Sequence, residues 1–388
     1  MRLIVFAFLL SWTCYGQAQL NGKYNFIHLD QTDGLLHPNI FGISQDAQGY
    51  IWILTYNGLQ RFDGTRFVNY PEVVQHTMPG TLGESNLYLD TLQNQISVGR
   101  STTVEQFDLS THQIKWIPSM DYIMANTSAD RDTYFLDNGK RWLISDIGFT
   151  QYPPNANEAD VVYLNPFPFQ SNQAKYFMKD SITGRIWTGM YDHIVYGDPS
   201  THHIKTAFTI AKNADGLASR FIFIDHERNL WISTWSPLFY RYNLVTGELS
   251  SYSLADIHLK TDQQRKENQN FIVQAFFEDR QHQLWIGTDN AGLLAYDRQH
   301  DVFNAITADD RLSNGIRYVY QIKCLYQDRE DNIWVGTDQG ISIFNPYHAN
   351  IRVIRHEEGL ESSLSSNDIT DVIETAQGEI LVATWGGG

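Results

Sequence analysis

Short apolar runs bounded by turn residues recur along the whole chain, and none of them continues with a helical period. In Ile51-Trp52-Ile53-Leu54 both alternating faces are apolar, which predicts a strand buried on both sides. Upstream, Asp46 and Gly49 suit a tight hairpin, because Asp bonds the backbone two residues on and Gly tolerates positive φ. Downstream, Asn57-Gly58 marks the next hairpin and Phe62-Asp63 closes a third strand.

The same phrase returns. Asp225, Asp279 and Asp328 each precede a tryptophan by the same six residues that separate Asp46 from Trp52, at Trp231, Trp285 and Trp334. Weaker copies set Trp142 five residues after Asp137 and Trp187 seven after Asp180. Two more keep the frame without an indole, around Ile96 and Leu381. Successive copies stand 44 to 54 residues apart, a period that predicts one four-stranded antiparallel blade per repeat. The small residue two places after the ring (Gly287, Gly336, Ala383) is read as room for the indole.

Seven copies, Trp52 to Trp334, predict an all-β, seven-bladed β-propeller over 20–349. The segment Tyr24–Leu29 resembles an outermost fourth strand and is expected to pair with the Trp334 blade, closing the ring and removing its exposed edges. Residues 350–388 read as the first strands of a second propeller, or else as part of an eighth blade. Residues 1–19, with Arg2, an apolar run from Leu3 to Leu10 and small residues near Ala18, read as a secretory signal peptide. A lipid-anchored Cys14 is the alternative.

Composition narrows the function classes. Aromatics at 13% and charged residues at 19% argue against disorder. A net charge of −16 gives no electrostatic footprint for nucleic acid or an anionic membrane. Two cysteines, Cys14 and Cys324, exclude a disulfide framework or thiolate zinc cluster.

Gly34-Leu35…Ile40, then Asp46…Gly49-Tyr50-Ile51-Trp52-Ile53-Leu54-Thr55, then Gly58-Leu59-Gln60-Arg61-Phe62-Asp63-Gly64 resembles the two-component regulator propeller repeat. The similarity runs from about residue 24 to 388, with degenerate blades at Ile96 and Trp142. The resemblance implies an exported, periplasmic sensor of two propellers, anchored in the inner membrane. It further implies a cytoplasmic output, often a histidine kinase, elsewhere in the polypeptide. Many members detect oligosaccharides. It leaves the ligand and the output type open and allows a homodimer.

No nucleophile elbow, phosphate loop, dinucleotide glycine pattern or zinc-protease motif occurs, so neither catalytic residues, cofactor nor metal site is expected. The pair His202-His203 is expected to point its rings to opposite strand faces, and His226-Glu227 to be a solvated hairpin. Loops at one end of the ring gather the candidate ligand-binding residues Tyr56, Tyr191, Asp192, Trp235, Arg220, Asp289, Arg317 and Tyr318. Their neighbours there include His37, Asn39, Asn57, Ser219, Asn290 and Asp338. Aromatic rings beside amides, carboxylates and Arg suit a sugar, stacking on its C–H face and bonding its hydroxyls. Asn57, Asn290 and Asp338 are read first as turn residues, with a binding role as the alternative. Two other function classes stay open: a secreted propeller enzyme of lyase type, and a protein-interaction scaffold.

Overall fold

The computed structural model describes residues 24–74, 86–91, 93–99, 103–118, 133–137, 140–145, 148–152, 161–164, 177–190, 192–211, 219–257, 271–306, 315–317, 320–347, 356, 363–375 and 377–386. The proposed signal peptide lies outside them. Their strands form five four-stranded sheets, one eight-stranded sheet and one two-stranded sheet. The Trp52 sheet sets the pattern: Ile40–Gln45, Ile51–Thr55, Gly58–Phe62 and Phe67–Tyr70 pair antiparallel in chain order. The eight-stranded sheet is two such meanders, holding Trp142 and Trp187, joined edge to edge where Leu164 pairs parallel with His203. No helix among the described residues is long and apolar enough to cross a membrane.

The double-sided burial predicted for the second strand is observed. Every residue of Ile51–Thr55, Ile186–Met190, Asn229–Thr234, Leu284–Asp289 and Ile333–Thr337 is buried. Each indole packs into an adjoining sheet. Trp52 joins Ile96 and Phe107, Trp187 joins Leu230, and Trp285 joins Val335 and Phe344. Trp334, in turn, joins Ile53 and Phe62 of the Trp52 sheet. Burying about 150–250 Å² per indole contributes roughly 4–6 kcal/mol before entropy is counted.

The six-residue spacing has a second cause besides the turn. In all four regular copies the indole Nε1–H donates to the repeat Asp: Trp52 to Asp46 at 2.7 Å, Trp231 to Asp225 at 2.9 Å, Trp285 to Asp279 and Trp334 to Asp328 at 2.8 Å. With a seven-residue spacing the bond fails. Trp187 Nε1 is buried with no acceptor, while Asp180 is taken by Thr183 and Arg228.

The same end of the sheets carries a repeated tie between neighbours. After three of the repeat Asp residues the backbone N–H donates to the side chain preceding a repeat Asp of the adjoining sheet. His226 N reaches Glu278, Arg280 N reaches Gln327, and Arg329 N reaches Gln45, over 2.7–2.9 Å. The last of these joins the Trp334 sheet to the Trp52 sheet.

The glycine two places after the ring does not make room for the indole. A Cβ on Gly287 would come within 2.6 Å of Ile322 Cγ2 on the first strand of the next sheet, and one on Gly336 within 2.4 Å of Cys324 Sγ in its own sheet and 2.8 Å of Ile40 Cγ2 in the adjoining one. These glycines set the distance of closest approach between sheets. The N-terminal strand Ile27–Leu29 pairs with the Trp334 sheet as expected, with Ile27 opposite Ile343 and Leu29 opposite Ile341. The described part of 350–388 is a hairpin, Ile369–Glu374 with Ile380–Thr384, whose first strand is exposed throughout. His202 stands in a turn at φ 54° and His203 opens the following strand, so the two are not strand neighbours.

Candidate functional site

In the four sheets with regular copies, one end of the second strand is fastened by the Asp–Trp bond and the hairpin after its Thr emerges at the opposite end. Thr55, Thr288 and Thr337 brace those hairpins by donating to the carbonyls of Gly58, Gly292 and Gly340. Gly58 and Gly340 hold φ of 142° and 136°, which a side chain would strain.

Four charged groups meet at this hairpin end. Lys323, on the edge strand Ile322–Gln327 of the Trp334 sheet, donates to Asn39 Oδ1 at 2.6 Å and lies 5.1 Å from the Phe41 ring centroid. Burial holds its pKa below the usual lysine value; the carboxylates of Asp338 and Asp289 oppose that shift, and the charge of Arg220 adds to it. Asp289 ends its strand with Oδ2 accepting from Gln274 Nε2 at 2.5 Å, while its Oδ1 is buried and accepts no hydrogen bond. Asp338 Oδ1 is in the same condition. Burial raises the pKa of both acids.

Rings flank these charges. The Arg220 guanidinium lies over the Trp235 ring at 4.3 Å. On the other side the rings of His37 and Tyr56 stand 5.1 Å apart, and burial, then the charge of Lys323, lowers the His37 pKa. The backbone N–H of Tyr56 donates to the Asn39 carbonyl, which ties this hairpin to the loop before the first strand of its sheet.

Of the sequence candidates, Tyr56, Trp235, Arg220 and Asp289 therefore belong to one connected group, with His37, Asn39 and Asp338. Asp192 is taken up locally by His193 at 2.7 Å. Arg317 is exposed, and its charge bears on His28 of the N-terminal strand. Tyr191 and Tyr318 lie outside the described residues. Two members escaped sequence reasoning. Lys323 was absorbed in the apolar run with Cys324, although a lone lysine in that run was the available signal. Gln274 carries no motif at all.

The other end holds a second cluster. Arg298 pairs with Asp225 at 2.9 Å, Glu278 at 2.5 Å and Glu227 at 3.1 Å. His226 Nδ1 lies 2.6 Å from Glu278, and its ring stacks on His282 at 4.0 Å. The expected solvated hairpin is thus engaged across the sheet boundary.

Three segments, residues 34–57, 266–290 and 318–339, match the family model described as two component regulator propeller. Those three segments carry the two component regulator propeller repeat. Among solved structures, the chain superposes on the extracellular domain of a hybrid two component system from B. thetaiotaomicron. That match has TM-score 0.63 and 22% identity, over 94% of this chain and 47% of the other. A one component system from the same organism gives TM-score 0.60 and 19% identity, over 93% and 51%. The chain spans about half the length of both extracellular domains. Virginiamycin B lyase from Staphylococcus aureus shares the fold at TM-score 0.58 and 13% identity, over 83% of this chain and 99% of the enzyme. No curated protein sequence matches.

Proposed function

We propose that this chain is the sensor region of a hybrid two-component regulator, exported to the periplasm and joined to an inner-membrane protein. In this reading residues 20–349 are a seven-bladed ring closed by the N-terminal strand, and 350–388 begin a second propeller. The ring binds a carbohydrate fragment at its hairpin end and passes the signal to a kinase elsewhere in the polypeptide, without catalysis in this segment.

One observation carries the ligand reading. Two buried carboxylate oxygens, on Asp289 and Asp338, accept nothing from the protein beside two cations and two aromatic pairs. Unsatisfied buried acceptors are rare and costly, about 1–3 kcal/mol each, and hydroxyl donors of a sugar satisfy them. The neutral sum of Lys323, Arg220, Asp289 and Asp338 favours an uncharged, hydroxyl-rich ligand over a strong anion or cation.

The test is calorimetry of the chain against oligosaccharide panels, with Trp235→Ala and Asp289→Asn. Each variant is expected to weaken binding at least tenfold, and unchanged affinity in both removes the site from this end. A second reading, a lyase, is favoured by the pairing of a raised Asp289 with a lowered Lys323 on a fold shared with a lyase. Recovery of the bound sugar uncleaved excludes it.

A further inference from the structure

The cluster at the Asp–Trp end breaks the repeat in a way that points to a ligand. At the two following sheet boundaries the residue after the repeat Asp is an arginine. Arg280 reaches Asp331 and the Asp328 carbonyl, and Arg329 reaches the carbonyls of Asp46 and Ala47. Between the Trp231 and Trp285 sheets that position is His226 instead. A cation still spans the boundary, but Arg298 from a different turn supplies it.

Three carboxylates, Asp225, Glu227 and Glu278, surround this single guanidinium, so the cluster is two charges negative when the imidazoles are neutral. The ligand atoms of His226, Glu278 and His282 all lie within 4.8 Å of one another. Their hydrogen bonds divide the roles. Glu278 Oε2 accepts from the His226 backbone, and Oε1 accepts from Arg298 and faces His226 Nδ1. An ionised carboxylate only accepts, so Nδ1 carries the proton and the lone pair of His226 lies on Nε2. A carboxylate on one ring nitrogen, with the other left to bind, is the usual setting of a metal-ligating histidine. His282 is exposed, at φ 66°, and its ring stacks on that of His226. An ion 2.0–2.1 Å from each nitrogen joins two imidazoles whose nitrogens stand about 3–4 Å apart, within reach of exposed rings turning on their side-chain torsions.

We propose that His226 and His282 bind one divalent ion of the imidazole-preferring class, such as copper, nickel or zinc, with Glu278 orienting His226. The ion links the turns of two neighbouring sheets where the two following boundaries use arginine, and water completes its coordination.

The test uses the full chain without a histidine tag, stripped of metal and titrated with Cu²⁺, Ni²⁺ and Zn²⁺ by calorimetry. One equivalent is expected, tightest for Cu²⁺. His226→Ala and His282→Ala each weaken it at least tenfold, as does Glu278→Gln by roughly 10-fold. His300→Ala, a histidine held by Asp297 on another turn, changes nothing. Electron paramagnetic resonance of the copper form shows coupling to two imidazole nitrogens, and to one in either alanine variant. If an alanine variant fails to fold, its glutamine counterpart is read in the same way. Absence of binding, binding unaffected by both histidine substitutions, or a copper spectrum without two nitrogens overturns the proposal.

Discussion

Replacing Trp285 by Phe and, separately, Trp187 by Phe isolates the Asp–Trp bond from the packing of the ring. Both indoles are buried, at 1% and 3% exposure, so the loss of ring area is nearly the same in the two variants. Their polar balance differs. Trp285 Nε1 donates to Asp279 at 2.8 Å, and a hydrogen bond to a charged group is worth about 1.5–3 kcal/mol. Asp279 keeps its bonds from the backbone of Gln281 and Gln283 and from the Tyr347 hydroxyl, so its charge stays solvated. Trp187 Nε1 has no acceptor, and removing it relieves a desolvation penalty of about 1–3 kcal/mol. Trp285→Phe is therefore expected to cost at least about 2 kcal/mol more than Trp187→Phe. Urea unfolding at neutral pH measures this, with midpoints separated by roughly 0.5 M or more. Equal midpoints, or a larger loss at Trp187, would refute the view that the six-residue spacing exists to make this bond.

Three further outcomes are expected. Gly287→Ala forces a methyl against Ile322 and lowers stability by about 1–3 kcal/mol in the same assay, although alanine otherwise suits a strand better. Asp289→Asn stabilises the chain at neutral pH while weakening ligand binding. A raised folded-state pKa means that the carboxyl penalises folding increasingly as pH rises from the ordinary carboxylate value to the raised one, and fully above it, so the gain in unfolding midpoint vanishes as pH falls below the ordinary carboxylate range. Cys324, whose Sγ faces Gly336 and whose pKa burial pushes up to about 12, stays unreactive to a thiol reagent at pH 8 and reacts once the chain is unfolded.

Much of this fold is legible in the sequence because each blade states itself locally: an Asp–Gly turn, a doubly apolar strand, a glycine hairpin. What period and pattern leave unspoken is the relation between sheets. Gly287 and Gly336 look like spaces for their own tryptophans until the first strand of the next sheet is seen lying against them. Asp46 looks like a turn residue, and its bond to Trp52 is implicit only in a spacing that recurs unchanged four times. The candidate site was legible at its rim, in Tyr56, Trp235 and Arg220, because turns do not require such side chains. Its floor was not, since Lys323 and Gln274 sit in strands whose neighbours are apolar. His226 and His282 are 56 positions apart, and only the alignment of successive turns brings them together.

The strand Ile27–Leu29 has a consequence for biosynthesis. His28 and its partner Ser342 are separated by 314 residues, so this strand waits for a partner made long after it. At ribosomal speeds of about 5–20 residues per second, that interval is roughly 15–60 s. Throughout it, an unpaired edge on the nascent chain needs shielding by chaperones, and fusing a rigid partner just ahead of Tyr24 should harm yield more than activity.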